Sequence, residues 1–455
     1  MVFSNLVARF AQRKPIAVMA QLVLENHFGA ARLDGIFEEA AQDQYTRELL
    51  FSSAAQLLVE VTLFGAPSVK AAFQKNRATI PVSLVSVYGK LQRVEPAVCQ
   101  ALVARTAASA TKLRNALGGL RCEPIPGYRL RIADGNVLKH SQRRLKELRG
   151  SATAALPGRS LALYDYGTGL ITALLPCEDA HTSERKLMGG LLPLLQANDL
   201  LMADSSFAIK AFLSGLQELQ GQQVAFLVRH HSSTKLVAVS QRVRAGRCKT
   251  GIVFQQQVRL SSGLVVRAIM IQRTQPLRNG KRTVTLLTNV PRSKATAKQL
   301  ADLYLRRWTI EEAFRQLTQY LSCEVRTLGY PKAALLAFGL AVIAYNCLAC
   351  VRGALASTYG QEKVENELSA YYLALEVSRA YEGMMAAVPP RDWAAFATMT
   401  APKLAAVLKR VAQEVDWERY RKSPRGPKKP VSIRSNKKHH HAATARLLEK
   451  RKTPP

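Results

Sequence analysis

Apolar positions recur along this chain with three rhythms, and the changes between them divide it. Residues 1 to about 120 carry apolar side chains at helical spacing throughout. A long apolar-periodic segment opens at Arg47-Glu48-Leu49-Leu50-Phe51 and ends near Gly65. Pro67-Ser68 and Ser83 stand where helix starts are expected, and a further helix is predicted from about Pro96 to Leu117, stopped by Gly118-Gly119. From Cys122 the rhythm becomes that of strands. Tyr128 to Ala133 alternates and ends in Asp134-Gly135-Asn136. Leu161–Tyr164 and Leu170–Leu175 are the next predicted strands, followed by a helix over Ser183–Leu195. Leu200 to Ala203 is a continuous apolar run that meets Asp204, with a helix from about Ala208.

Strands are then predicted at Gln222–Arg229, Leu236–Val243, Gly251–Leu260, Leu264–Arg273 and Thr283–Val290, punctuated by Gly246, Gly251, Gly263 and Gly280. The stretch Tyr304–Thr318, YLRRWTIEEAFRQLT, lacks Gly and Pro and predicts one helix. At about 100° per residue, Leu303, Ile310, Phe314 and Leu317 share an apolar stripe; Tyr304, Arg307, Glu311 and Thr318 lie on the stripe beside it, with Arg315 at its margin. A core helix follows at 333–356, and helices continue to about Lys409. The third rhythm is none: Arg419–Pro430, His439–His441 and Arg446–Lys452 are basic and broken by Pro and Gly, as in a flexible tail for phosphate backbone.

The alternation of strands and helices predicts an α/β protein with an all-helical N-terminal domain and a basic C-terminal tail. The stretch between Asp204 and Glu311 is much longer than a tight αβ connection, so about 230–280 is expected to be an inserted β subdomain. The expected layout is a helical domain at 1–120, a core in two parts at 121–229 and 281–400 around the 230–280 insertion, and a basic segment at 401–455.

Charge changes the picture. Of 455 residues, 65 are Lys or Arg and 32 Asp or Glu, a net charge of +33, which favours a polyanion partner, nucleic acid ahead of membrane. Seven scattered cysteines suggest reduced thiols in the cytosol. Cys347-x2-Cys350 lies in an apolar helix without a second pair and is expected to pack rather than bind zinc. Ala333–Val351 reaches membrane-span length, but with Asn346 inside it the expectation is a buried core helix and no membrane partner. The three consecutive histidines cannot easily chelate one ion together.

Tyr304-x2-Arg307-x3-Glu311, with Trp308 and Ile310 inside it, resembles the Tyr-Arg-Glu-Lys signature of bacterial DDE transposases of the insertion-sequence-four family. The fourth signature position is Thr318 instead of Lys, with Arg315 on nearly the same face. Asp134 in ADGN resembles the family's first aspartate and Asp204 in ADSSF its second, with Ser205 where many members carry Arg. The element order, with acids after the first and fourth strands and on a late helix, resembles the ribonuclease H-like fold interrupted by a β-rich insertion.

The resemblance implies that Asp134, Asp204 and Glu311 are catalytic and hold two Mg²⁺ or Mn²⁺ ions. Three carboxylates without His or Cys ligands suit such hard ions. It implies cutting at the inverted-repeat ends of an insertion sequence through a hairpin intermediate, and joining of the 3′-OH ends to target DNA. It also implies double-stranded DNA as partner, a homodimer on paired ends, end binding by the helical N-terminal domain, and action in the cytoplasm at the nucleoid. Tyr304, Arg307, Arg315, Thr318 and Arg229 are then expected to contact DNA, and Phe254, the only Phe, Tyr or Trp of the insertion, to stack an unpaired base. Two other readings fit the residues: a ribonuclease H-like nuclease that cuts without strand transfer, and a non-catalytic DNA-binding protein.

Overall fold

The apolar runs after Cys122 form one sheet, whose strands in chain order are β1 (Arg129–Val137), β2 (Arg159–Asp165), β3 (Leu170–Cys177), β4 (Asp199–Ala203), β5 (Ala225–Arg229), β6 (Leu236–Ala238), β7 (Val243–Cys248), β8 (Gly251–Leu260), β9 (Val265–Arg273) and β10 (Thr283–Thr288). The computed structural model describes residues 3–44, 46–138, 157–277, 280–325, 327–423 and 443–452. Across the sheet the order is β3-β2-β1-β4-β5-β10-β9-β8-β6, with β7 also paired to β8. The pairs β1–β4 and β4–β5 are parallel and the others antiparallel. A mixed central sheet among many helices is consistent with the ribonuclease H-like core expected from the order of elements.

The parallel centre is buried on both faces, which is why β4 reads as an unbroken apolar run. Leu200 and Met202 face a core shared with the Pro96–Leu117 and Pro331–Tyr359 helices. Leu201 and Ala203 face Met188, Leu191, Phe212 and Leu213 on the other side. The β-rich segment after β5 joins the sheet edge to edge, since β10 pairs with β5 from Leu286↔Arg229 to Thr288↔Leu227. Gly246, expected to punctuate strands, lies inside β7 at φ 114°, where the register with β8 shifts.

The N-terminal helices form as their caps predict: Ser68 and Ser83 accept from the amides of Ala71 and Ser86. Three other expectations need correction. Ser183–Leu195 is one α-helical turn, Glu184–Leu187, and then a 3₁₀ segment, Met188–Leu194, because Gly189, Gly190 and Pro193 do not sustain an α-helix. Tyr304–Thr318 is not one helix: Ala297–Leu303 is α, Tyr304–Arg307 is 3₁₀, and α-helix resumes at Trp308–Gln319. Thr444–Lys452, expected to continue a flexible tail, is helical, with Arg446 paired to Asp179 at 2.8 Å. Most of the basic stretch to Pro430 and the three histidines lie outside the described residues.

Pro331–Tyr359 is long and apolar enough to cross a membrane, yet its most apolar window is wholly buried in this fold. Cys347 and Cys350 are packed within it as free thiols. Its one buried amide has a specific task. Asn346 accepts from the Ile171 amide (2.9 Å) and donates to the Ile171 carbonyl (2.8 Å), satisfying both backbone groups of that residue on the outer strand β3. Asn346→Leu keeps the volume but strands two buried backbone groups. It is expected to cost about 2–4 kcal/mol, read as a lowered denaturation midpoint with an unchanged denaturant slope.

Candidate active site

Two carboxylates arrive on neighbouring parallel strands. The last paired residues of β1 and β4 are Ile132 and Met202, and two residues further along each lie Asp134 and Asp204, on matching faces. Parallel strands sit roughly 4.8 Å apart, so the register alone brings the two acids to one rim at the carboxyl ends, where open α/β sheets bind ligands. Asp134 was expected to end its strand; instead β1 continues through it to Val137, held by the antiparallel ladder with β2 (Asp134↔Ala162, Val137↔Arg159). Asp204 does end its strand. Its Oδ1 accepts from the Ser206 amide and lies 2.7 Å from the Ser206 hydroxyl, capping the short turn Ser205–Phe207.

The third acid comes with the broken helix. In a 3₁₀ turn residues i and i+3 eclipse, so Tyr304 and Arg307 point the same way, toward the rim. The Tyr304 hydroxyl donates to the Ala203 carbonyl at 3.2 Å and ties this turn to the residue before Asp204. Arg307 reaches Asp134 Oδ2 with Nη1 at 3.3 Å and Glu311 Oε1 with Nη2 at 2.6 Å. Glu311 lies in the first turn of Trp308–Gln319, where a helix favours negative charge.

Burial pushes the Asp134 carboxyl up to about 7; Arg307 opposes the rise, and the Asp204 and Glu311 charges add to it. Burial disfavours the Arg307 charge, but Tyr304, Glu311 and Asp134 outweigh it and raise its pKa. Burial also raises the Tyr304 phenol.

The other expected site residues are placed differently. Arg229 ends β5 close enough to Tyr304 to act on its phenol electrostatically. Arg315 turns aside to pair with Glu312 and the Tyr320 hydroxyl. Thr318 is exposed and its hydroxyl donates to the Phe314 carbonyl. Phe254 is half-buried beneath the Arg242 guanidinium, 5.3 Å from its ring centre.

Two residues enter the site without having been singled out for it. Trp308 is 61% exposed beside Arg307, whose guanidinium lies 5.0 Å from its ring. Glu184 places Oε2 3.2 Å from the Ser206 hydroxyl and pairs with Arg159 at 3.3 Å. A Cβ at residue 135 would collide with the Glu184 carboxylate, so the glycine after Asp134 is what admits it. An acid at a helix start gave the sequence no sign of this role; the Asp-Gly pair did, once a close approach is considered.

Residues 125–347, which span the ten strands of the described residues and all three acids, match the family described as the transposase DDE domain. The match covers just under half of the chain and supports a DDE transposase, hence a transposase function with DNA as the expected partner. No curated protein matches the chain.

Such domains generally use divalent metals, and the donor set here fits them. It consists of carboxylate oxygens alone, and an acid whose ionisation is suppressed by burial among like charges gains from a cation. Among the described residues no three His, Cys, Asp or Glu side chains converge as a ready-made cage; the Arg307 guanidinium supplies the positive charge between Asp134 and Glu311.

Between pH ~4 and ~7 the folded chain retains an Asp134 proton that the unfolded chain has lost, so stability falls as pH rises through that window. Asp134→Asn is therefore expected to raise Tm at pH 8 and to change it little below pH ~4. Mg²⁺ or Mn²⁺ is expected to raise the wild-type Tm more at pH 8 than at pH 5. Thermal denaturation across pH, with and without metal, measures both.

Proposed function

We propose that the protein is a DNA transposase that cuts at the terminal inverted repeats of its own insertion sequence and joins the 3′-OH ends to target DNA. The observation that carries this reading is the meeting of Asp134, Glu311 and Arg307 at the rim where Asp204 ends β4.

Asp134 and Asp204 would hold one divalent ion, and Asp134 and Glu311 a second, which together would neutralise charge on the attacking and leaving oxygens of the phosphodiester. Asp134 is shared, and burial makes it the acid most in need of a cation. Arg307 holds Asp134 and Glu311 together before an ion arrives, and its planar guanidinium then turns its donors to a DNA phosphate. Tyr304 fixes the 3₁₀ turn against β4, so Arg307 and Asp204 keep their separation. Arg229 at the end of β5 and Thr318 on the exposed side of the Glu311 helix contact the backbone of the transposon end, while Arg315 is held by Glu312. Glu184 and Ser206 hold the Asp204 turn against the Asp134 strand.

The route runs through a hairpin, which requires a base to leave the stack. Trp308, exposed beside Arg307, is better placed to receive that base than Phe254, whose face is already covered. Residues 1–120 bind the transposon ends, the 230–280 strands support the Ala297–Leu303 helix that leads into Tyr304, and two copies act together on paired ends. The protein acts on DNA in the cytoplasm at the nucleoid and uses Mg²⁺ or Mn²⁺.

Incubating the purified protein with its own element ends and Mg²⁺, and resolving products on a denaturing gel, tests the proposal. Nicks, hairpins and joined products are expected, all lost on chelation. Asp134→Ala, Asp204→Ala and Glu311→Ala are each expected to abolish cleavage while DNA affinity stays near wild type. Cleavage retained in all three variants would overturn the active-site assignment; nicks without joined products would reduce the protein to a nuclease.

A further inference from the structure

The Trp308–Gln319 helix that carries Glu311 has a second working face. Thr309, Glu312, Gln316 and Tyr320 turn away from the acids and wall a groove of about 890 Å³. Its far side is the start of the Ala370–Ala387 helix with Tyr371 and Tyr372, and Arg352 of the core helix also lines it.

The lining holds six Arg or Lys side chains against three glutamates. Each glutamate already has an arginine: Glu312 pairs with Arg315, Glu365 with Arg121, and Glu367 with Arg421. Among the described residues neither Arg306 nor Arg352 forms an ion pair, although Arg306 lies near enough to Glu365 to favour its charge. Arg306 instead meets the Tyr166 hydroxyl and lies 5.2 Å from that ring's centre. The groove therefore keeps a net positive charge.

It also presents a run of rings. Tyr320 and Tyr371 meet edge to face at 5.7 Å, and Tyr371 and Tyr372 at 5.3 Å. Tyr371 and Tyr372 are 47% and 37% exposed. Phosphate contact alone requires no rings, and the bases of an intact duplex are stacked on each other. Exposed rings beside unneutralised guanidinium groups are the combination that holds a nucleic acid strand whose bases are free. Arg306, which lines the groove, immediately precedes Arg307, which binds Asp134 and Glu311, so groove and acids lie on two sides of one helical segment.

We propose that this groove binds an unpaired segment of DNA, its bases stacked on Tyr371 and Tyr372 and its phosphates on Arg306 and Arg352, as the strand leaves the cutting site. The placement beside a scissile phosphate rests on the transposase reading; the preference for an unpaired strand does not.

The test uses the full-length protein without divalent metal. The probes are a short oligothymidine carrying 5-iododeoxyuridine and a duplex containing the same strand. Ultraviolet crosslinking and peptide mass spectrometry are expected to place the single-strand adduct on Tyr371 or Tyr372. A Tyr371→Ala, Tyr372→Ala double variant is expected to lose at least about fivefold in single-strand affinity and less than about twofold for duplex. The corresponding Phe pair, which keeps both ring faces, is expected to bind as wild type. Adducts confined to other regions, equal losses for both probes, or a Phe pair as weak as the Ala pair would each overturn the proposal. The two readings separate cleanly: tyrosine adducts in a protein that never cuts its element ends sink the transposase reading alone, and cutting without tyrosine adducts sinks the groove alone.

Discussion

Acids gathered at one half-buried rim repel one another, and the rest of the site is arranged around that repulsion. Arg307 is the local answer. Its two terminal nitrogens take one carboxylate from the sheet and one from the helix that follows it, so a single guanidinium joins the first strand of the core to an element more than 170 residues later in the chain. That link is provisional by nature. A fork that fits two carboxylates equally fits two phosphate oxygens, and on the proposed function the same side chain serves first as a counter-ion and then as a clamp.

The sheet supplies what the arginine cannot, a fixed distance between the aspartates. Parallel pairing of β1 with β4 sets their register, and burial of β4 on both faces resists slippage, because a one-residue shift would exchange Leu200 and Met202 with Leu201 and Ala203. Tyr304 extends this rigidity to the late helix by bonding to the backbone just ahead of Asp204. Glu184 does the same from the other direction through Ser206, an approach open only because residue 135 lacks a side chain.

Much of this was legible in the residues. Strand periodicity located β1 to β5 and β8 to β10 to within a few positions, and the acids at the ends of apolar runs marked the rim. The helix stripe also grouped Tyr304, Arg307 and Glu311 correctly, although the backbone there is 3₁₀ for one turn; three-residue spacing eclipses under either geometry closely enough for the grouping to survive. What stayed hidden was tertiary. That Arg315 would be claimed by Glu312, that Arg242 would cover Phe254, and that Trp308 would remain exposed depend on neighbours no local pattern names. The continuation of β1 past Asp134 depends on pairing with β2, which the alternation ending at Ala133 could not foresee.

The amide of Asn346 has a consequence beyond the core. By occupying the outward amide and carbonyl of Ile171, it removes the template that an incoming strand from another molecule would need. The opposite margin consists of the short strands β6 and β7, the latter bearing Arg244 and Arg247, whose charge discourages the same pairing. With Ile171 occupied on one margin and arginines on the other, the sheet offers little backbone on which a further strand could be templated.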